Sequence, residues 1–389
     1  MNEKNQPTQD TEATVTEQSQ SQRPVKQKNT KRLVIIVTSI VIATLLISGA
    51  VFMLTQKGGN KNDKKFESNQ GGTQFSSDAV TRGKSLSHDQ CEGEGSKKLG
   101  SAPMNMSDVS NIQPMGLVAG GHVTPVDHQY YYGKNQKAAP STYDVLAPAD
   151  GTLVNIEVRP KSSGLYDVRG VISYSCTFFS YFDLTNSLAP DVESAMPRGW
   201  EKINGPQKVK IAVKQGQVIA RVGGQSLDFA VWDTTKTLPG LLVSKAYDNY
   251  EPWKLNTVRP LDYYTEAVKT EVLPYYARSA EPRDGRLDYD IDGKAIGGWF
   301  KKGTNGYIGA FKEADFNPMS YADGHFSLAP DYLDPTGWVL STGSINHGTQ
   351  YGIKSPSVAP DKLDESSGIV KYELIGFGHN DETGGRWLG

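Results

Sequence analysis

Charge of one sign is what this chain most lacks. Its 41 basic and 43 acidic residues leave a formal net charge of −2. That excludes the basic excess a nucleic-acid-binding surface carries, so no nucleic acid partner is expected. Cysteine is scarce too: Cys91 and Cys176 are the two present, and no Cys-x-x-Cys pair occurs. Several chemistry-bearing motifs are missing. There is no G-x-S-x-G nucleophile elbow, no P-loop and no H-E-x-x-H zinc helix. What is plentiful is glycine (40), proline (21) and tyrosine (19), a composition of turns and strands more than helices. At 389 residues the chain exceeds one ordinary domain and suggests two folded parts with further segments.

Long hydrophobic runs are absent except for one. Residues 1–32 are polar, hold almost no large apolar residue and read as a disordered tail. Leu33–Thr55 then runs without a charge, and as a helix it spans about 34 Å, enough for a bilayer core. The run is longer than a signal-peptide core, and no small-x-small cleavage site follows it. We read a single-pass signal anchor in the plasma membrane. The basic stretch Arg23–Arg32 predicts a cytoplasmic N-terminus, against the weaker pull of Lys57, Lys61, Lys64 and Lys65 beyond the span. The folded region then lies outside the cytoplasm, tethered by a polar, glycine-rich linker over 56–84. In such an oxidising compartment Cys91, in a polar leader, and Cys176, in an apolar strand, are candidates for a disulfide.

Two stretches organise the next region. In Tyr143–Val158, Val145 and Leu146 run into Pro-Ala-Asp-Gly151, and Leu153, Ile156 and Val158 follow. Proline presets φ and glycine tolerates positive φ, so a turn is predicted there, with a hairpin around it. Lys214-Gln-Gly-Gln217 predicts a second, between Val209–Val213 and Val218–Val222. Val209, Ile211 and Val213 alternate with Lys210 and Ala212, the period of a half-buried strand.

Gly116–Tyr132 gathers His122, Asp127 and His128 within seven residues, followed by Tyr130-Tyr-Tyr132. Zinc hydrolysis requires imidazole and carboxylate donors that converge and leave one position open. Asp127-His128 after Pro125 also suits a turn cap, and His122 a hydrogen-bonded place beside a sheet. The tyrosines suit either sugar stacking or a strand edge. Both readings of each stay open on sequence.

The run A-P-A-D-G-T-L-V at 147–154, followed by V-K-Q-G-Q-V-I-A-R-V-G at 213–223 and L-D-F-A-V-W-D at 227–233, resembles the lysostaphin-type (LytM-type) zinc endopeptidases that cut peptidoglycan cross-bridges. The resemblance covers about residues 116–235. It implies an open, mostly antiparallel β-sheet of the duplicated hybrid-motif kind. Those enzymes hold zinc with an H-x-x-x-D motif ahead of the A-P-x-x-G strand and an H-x-H on the last core strand. His122 matches the first histidine; Asp127 lies one residue too far. Ser226-Leu-Asp228 stands where H-x-H belongs, so Asp228 is a candidate ligand and both histidines are missing. The resemblance thus implies a possible zinc site of His122, Asp127 or His128, and Asp228, with no catalytic residue assigned and no other cofactor. A carrier lysine at a hairpin tip is absent. The Pro- and Gly-broken 159–208 has no heptads, against the helical hairpin of a secretion-pump adaptor.

The fold expected is therefore mainly β: a lysostaphin-type sheet domain with its leader (85–237), a connecting segment (238–282) with a short helix near 260–273, a small β-barrel or sandwich (283–376), and a polar tail (377–389). Asp288, Asp290 and Asp292 before Gly293 mimic a calcium loop, but Trp299 stands where its bidentate Glu belongs, so a solvated strand face is expected. Two functions follow. One is a membrane-anchored, non-catalytic peptidase-like protein that binds a cell-wall or surface polysaccharide, glycopeptide or other envelope partner. The other is a divergent zinc endopeptidase acting on peptidoglycan or surface glycopeptide. The missing H-x-H favours the first.

Overall fold

The computed structural model describes residues 75–302 (apart from 94, 96, 120, 161–165, 204, 249 and 250), 324–343, 349–380 and 385–388. The anchor expected at 33–55, the tail 1–32 and most of the linker lie outside the described residues. Among the described residues no helix is long and apolar enough to cross a membrane.

The chain is mainly β, and its strands pair antiparallel. After helix α1 (Phe75–Leu86) come β1 (Val109–Gln113), β2 (Gln129–Gly133), β3 (Tyr143–Leu146), β4 (Gly151–Pro160), β5 (Tyr166–Ser175), β6 (Phe178–Thr185) and β7 (Ser187–Leu188). β8 (Gly205–Val213), β9 (Val218–Val222), β10 (Leu227–Asp233) and β11 (Thr257–Val258) complete the first part. The large sheet has the order β1-β2-β10-β6-β5-β4-β8, with β11 also on β10; a small sheet has the order β3-β9-β7.

The expected alternation holds in β8, where Val209 and Val213 are buried and Lys208, Lys210 and Ala212 are exposed. The expected hairpins do not form. β3 pairs with β9, and β4 pairs with β5 and β8, so the chain changes sheets at both turns. The two turns dock on each other instead. Ala147 N–H donates to Gln217 O and Gly216 N–H to Ala147 O, both at 2.9 Å, and Gln215 N–H donates to Asp150 Oδ1. Val145 and Ala147 are fully buried at this crossing. An apolar strand end that closes a core between two layers has no free side along which to fold back on its neighbour.

One face of the large sheet (Leu153, Ile156, Ile172, Phe178, Phe182 and Phe229) packs on Val145, Ile219 and Val222 of the small one. The segment 238–282 is part of this core. Helix α2 (Glu266–Val272), capped by Thr265, buries Val268 and Val272. The hydroxyl of Tyr264 meets that of Tyr131 at 3.1 Å, and Gln129 Nε2 donates to Tyr276 Oη.

The opposite face is roofed. Cys91 and Cys176 form a disulfide with a Cα separation of 4.9 Å, which ties the chain after α1 to the turn between β5 and β6. Helix α1 occupies part of the expected linker. Its start lacks the apolar periodicity that marks a helix, and its place is set by long-range contacts. Gly83 lies so close that a Cβ there would come within 1.8 Å of Cys176 O. Leu86 joins a second cluster with Val154, Val171, Phe179, Tyr181 and Trp232, to which Trp253 also belongs.

β12 (Gly297–Phe300), β13 (His325–Pro330), β14 (Trp338–Thr342), β15 (Thr349–Lys354), β16 (Glu373–Asn380) and β17 (Gly385–Leu388) form a six-strand sheet in sequence order. Among the described residues this is an open meander and not a closed barrel: β12 and β17 are its two ends and do not pair. The expected tail is partly strand, since Phe377–Asn380 pairs with Gly385–Leu388. Asp288 and Asp290 are not a solvated strand face either. Asp288 Oδ2 accepts from Gly240 N–H at 3.3 Å, and Asp290 accepts from Leu242 and Gly298 N–H at 3.0 and 2.8 Å.

Candidate functional site

Three of the four candidate residues meet on the roofed face. β2 and β6 flank β10, so Asp228 lies opposite Tyr130 on one side and Asp183 on the other. Asp127 and His128 immediately precede β2. His128 Nδ1–H donates to Asp127 Oδ1 at 3.1 Å, and its Nε2 lies 3.4 Å from Asp228 Oδ2, an ion-pair contact without hydrogen-bond geometry. Asp127 Oδ2 accepts from Trp253 Nε1 at 2.9 Å. All three side chains are buried. His122 is half-buried, its backbone N–H donates to Ala119 O at 2.9 Å, and its ring stands edge-on to that of His128 with centroids 5.8 Å apart.

Sequence reading missed the other half of this network. Arg159 on β4 and Arg169 on β5 both hold Asp183 of β6: Arg169 Nε donates to Asp183 Oδ2 at 2.8 Å, and Arg159 pairs with Oδ1. The Arg169 guanidinium sits 5.4 Å from the centroid of Tyr181 and 5.8 Å from that of Trp253. Trp253 in turn stacks on Trp232, centroids 5.8 Å apart. Buried Lys254 places Nζ 3.2 Å from Glu251 Oε2. The one available signal was Asp183, a lone acid closing the apolar run Thr177–Phe182.

The electrostatics follow from this geometry. Burial favours the neutral form of Asp127, but the hydrogen bond from His128 and the Lys254 charge outweigh it and hold the carboxyl well below its usual range. Burial likewise opposes charge on His128, and Asp228 and Asp127 overcome it, raising the imidazole. Asp228 is pushed up to about 7, by burial first and then by Asp183, against the pull of His128. Burial, then His128 and Lys254, lowers His122 to about 3.

These donors do not fit zinc. Both His128 nitrogens face carboxylates, and Asp127 spends its two oxygens on His128 and Trp253. Ser226, also buried, lies with Oγ 3.5 Å from Asp228 Oδ1 and supplies no imidazole. Among the described residues no three His, Cys, Asp or Glu side chains are placed to hold a metal ion. The tyrosines offer no sugar platform: Tyr131 lies in the main core, while Tyr130 and Tyr132 are buried with Leu117, Val126, Tyr332 and Leu333.

Against known proteins, no family model matches the chain. No curated protein matches it in sequence. Among solved structures it is similar in part to a zinc-containing peptidase from Vibrio cholerae, at 18% identity over 37% of this chain and 38% of that one, with a TM-score of 0.21. It is also similar in part to Helicobacter pylori Csd3 in its orthorhombic crystal, at 19% identity over 43% and 35%, with a TM-score of 0.23. The chain thus spans less than two-fifths of the length of either.

Proposed function

We propose that this chain is a non-catalytic binding protein with a peptidase-like β core, anchored by 33–55 and displayed outside the cytoplasm to a cell-envelope polymer or partner. The peptidase-like part of the reading rests on the sequence resemblance of 143–158 and 213–233. The non-catalytic part rests on one observation: His128, the buried imidazole of the cluster, is committed to Asp127 and Asp228, and Trp253 donates to the same Asp127. A general base requires a reachable imidazole near its working pH, and a serine hydroxyl at 226 cannot replace one.

The test incubates the full chain, in detergent, with peptidoglycan sacculi, with and without added zinc. The expected result is co-sedimentation with the sacculi and no released peptide. Release by the wild type that Asp228→Ala abolishes would establish the divergent zinc endopeptidase instead. Absence of both release and sedimentation would remove peptidoglycan as the polymer.

A further inference from the structure

Away from the polar network, sharing none of its residues, a cavity of about 600 Å³ opens where the stretch 236–239 that follows β10, β11 and the segment 282–288 meet. Binding sites for small molecules have volumes of roughly 300–1,000 Å³, with mostly apolar walls and a few placed polar groups. This cavity has that make-up. Met115, Leu238, Val258 and Leu287 give it apolar walls, and Met115, Val258 and Leu287 are buried, so the walls belong to the packed interior.

Its charged groups are unequal in availability. Arg259 is held by Asp262 through Nε and Nη2, and Arg286 by Asp288, with Nε 3.1 Å from Oδ1. Lys236 differs. Its ammonium rests 5.0 Å from the centroid of Tyr263, and among the described residues no carboxylate pairs with it. The lining therefore carries three cations against two carboxylates, leaving one positive charge without a counter-ion beside an apolar wall.

We infer that this cavity binds a small carboxylic acid with an apolar body, its carboxylate on Lys236 and its hydrocarbon against Leu238 and Val258. Lys236 is exposed and its ammonium stands over an aromatic face, so an acid reaches it without breaking an existing ion pair. The inference goes beyond the envelope-binding reading and does not depend on it.

The test is calorimetric titration of the full chain in lipid nanodiscs with 4-phenylbutyrate and with its uncharged amide, empty nanodiscs serving as blank. The acid is expected to bind roughly tenfold or more tightly than the amide. Lys236→Gln, an exposed change, should abolish that preference and leave amide binding as it was. Leu238→Trp, which fills the cavity, should abolish binding of both while the melting temperature stays near that of the wild type. Equal binding of acid and amide to the wild type, no heat beyond the blank, or an unaltered isotherm for Leu238→Trp would each overturn the inference.

Discussion

Replacing His128 with alanine separates a structural polar centre from a reaction site. In the wild type the imidazole lies between two buried carboxylates, 3.1 Å from Asp127 and 3.4 Å from Asp228. Its removal takes away a charge-assisted hydrogen bond worth about 1.5–3 kcal/mol. It also leaves Asp228 beside Asp183 with one cation fewer. Breaking a buried charge pair by deleting one partner costs about 3–5 kcal/mol, because the other charge stays behind. We expect that range here, or a fall in melting temperature of roughly 10 °C for a domain of this size. Adding Asp228→Asn removes the carboxyl left without its cation and should recover about 1–2 kcal/mol at pH above about 7, where Asp228 ionises in the fold. The pH dependence has a definite sign. His128 is raised in the fold, so its contribution is complete below pH ~6.5 and is lost as pH climbs through the folded value. Asp127 is depressed, so its contribution is present above pH ~3.9 and is lost as pH falls. The gap between wild type and His128→Ala is therefore widest between roughly pH 4 and 6.5. Chemical denaturation of both proteins across pH 4–9 measures it. A group retained for catalysis sits at the expense of stability, and its removal is neutral or stabilising. A His128→Ala melting temperature equal to or above the wild type's would refute the structural reading.

Three further outcomes are expected. Cys91→Ser opens a cross-link between residues 85 positions apart and should cost about 4 kcal/mol, seen as a lower denaturant midpoint and early proteolysis of the α1 region; an unchanged midpoint would show that the leader adds nothing to the core. Burial raises the Asp284 carboxyl to about 6, so its stabilising neutral form is complete below pH ~3.9 and is lost as pH rises through 6. Asp284→Asn, whose amide oxygen can still accept from Leu261 N–H, should then match the wild type at pH 4 and exceed it by up to about 3 kcal/mol at pH 8, and a constant gap would be the contrary result. Protease added to intact cells should remove everything beyond Thr55 and leave a short membrane stub; protection of the C-terminal region would reverse the proposed orientation.

Much of the β architecture was legible because period-two burial is a local property. Val209, Ile211 and Val213 announce a strand wherever the chain goes, and the apolar spacing over 260–273 announces a short helix, found at Glu266–Val272. Pairing is not local. Pro148 and Gly216 mark turns correctly, yet nothing at those residues says that β3 will pair with β9 across the crossing and not with β4 next to it. The same limit applies to the six-strand meander, where closure into a barrel depends on the two outer strands meeting, a relation no single strand encodes. Helix α1 is the extreme case: its position follows from a disulfide and from close packing of Gly83 on Cys176, both set by residues far along the chain.

The candidate site was half legible for a related reason. His122, Asp127, His128 and Asp228 stood out by residue type, and the sheet brings the last three into contact. Their partners Arg159, Arg169 and Asp183 come from three separate strands, and the two arginines look, one by one, like ordinary outward positions. Those partners decide what the cluster is. An Asp-His-Asp arrangement open to solvent could exchange a ligand for one carboxylate. Here Trp253 donates to Asp127, Trp232 and Tyr181 pack beneath it, and Arg159 and Arg169 fix Asp183 behind Asp228. Each added partner lowers the energy of the closed network and raises the cost of freeing any one donor, because a buried polar group without its partner loses about 1–3 kcal/mol. Ser226 fills the position beside Asp228 with a buried hydroxyl, 3.5 Å from the carboxylate. The polar face of the sheet is interior, held by the same kind of accounting that holds the apolar core on its other side.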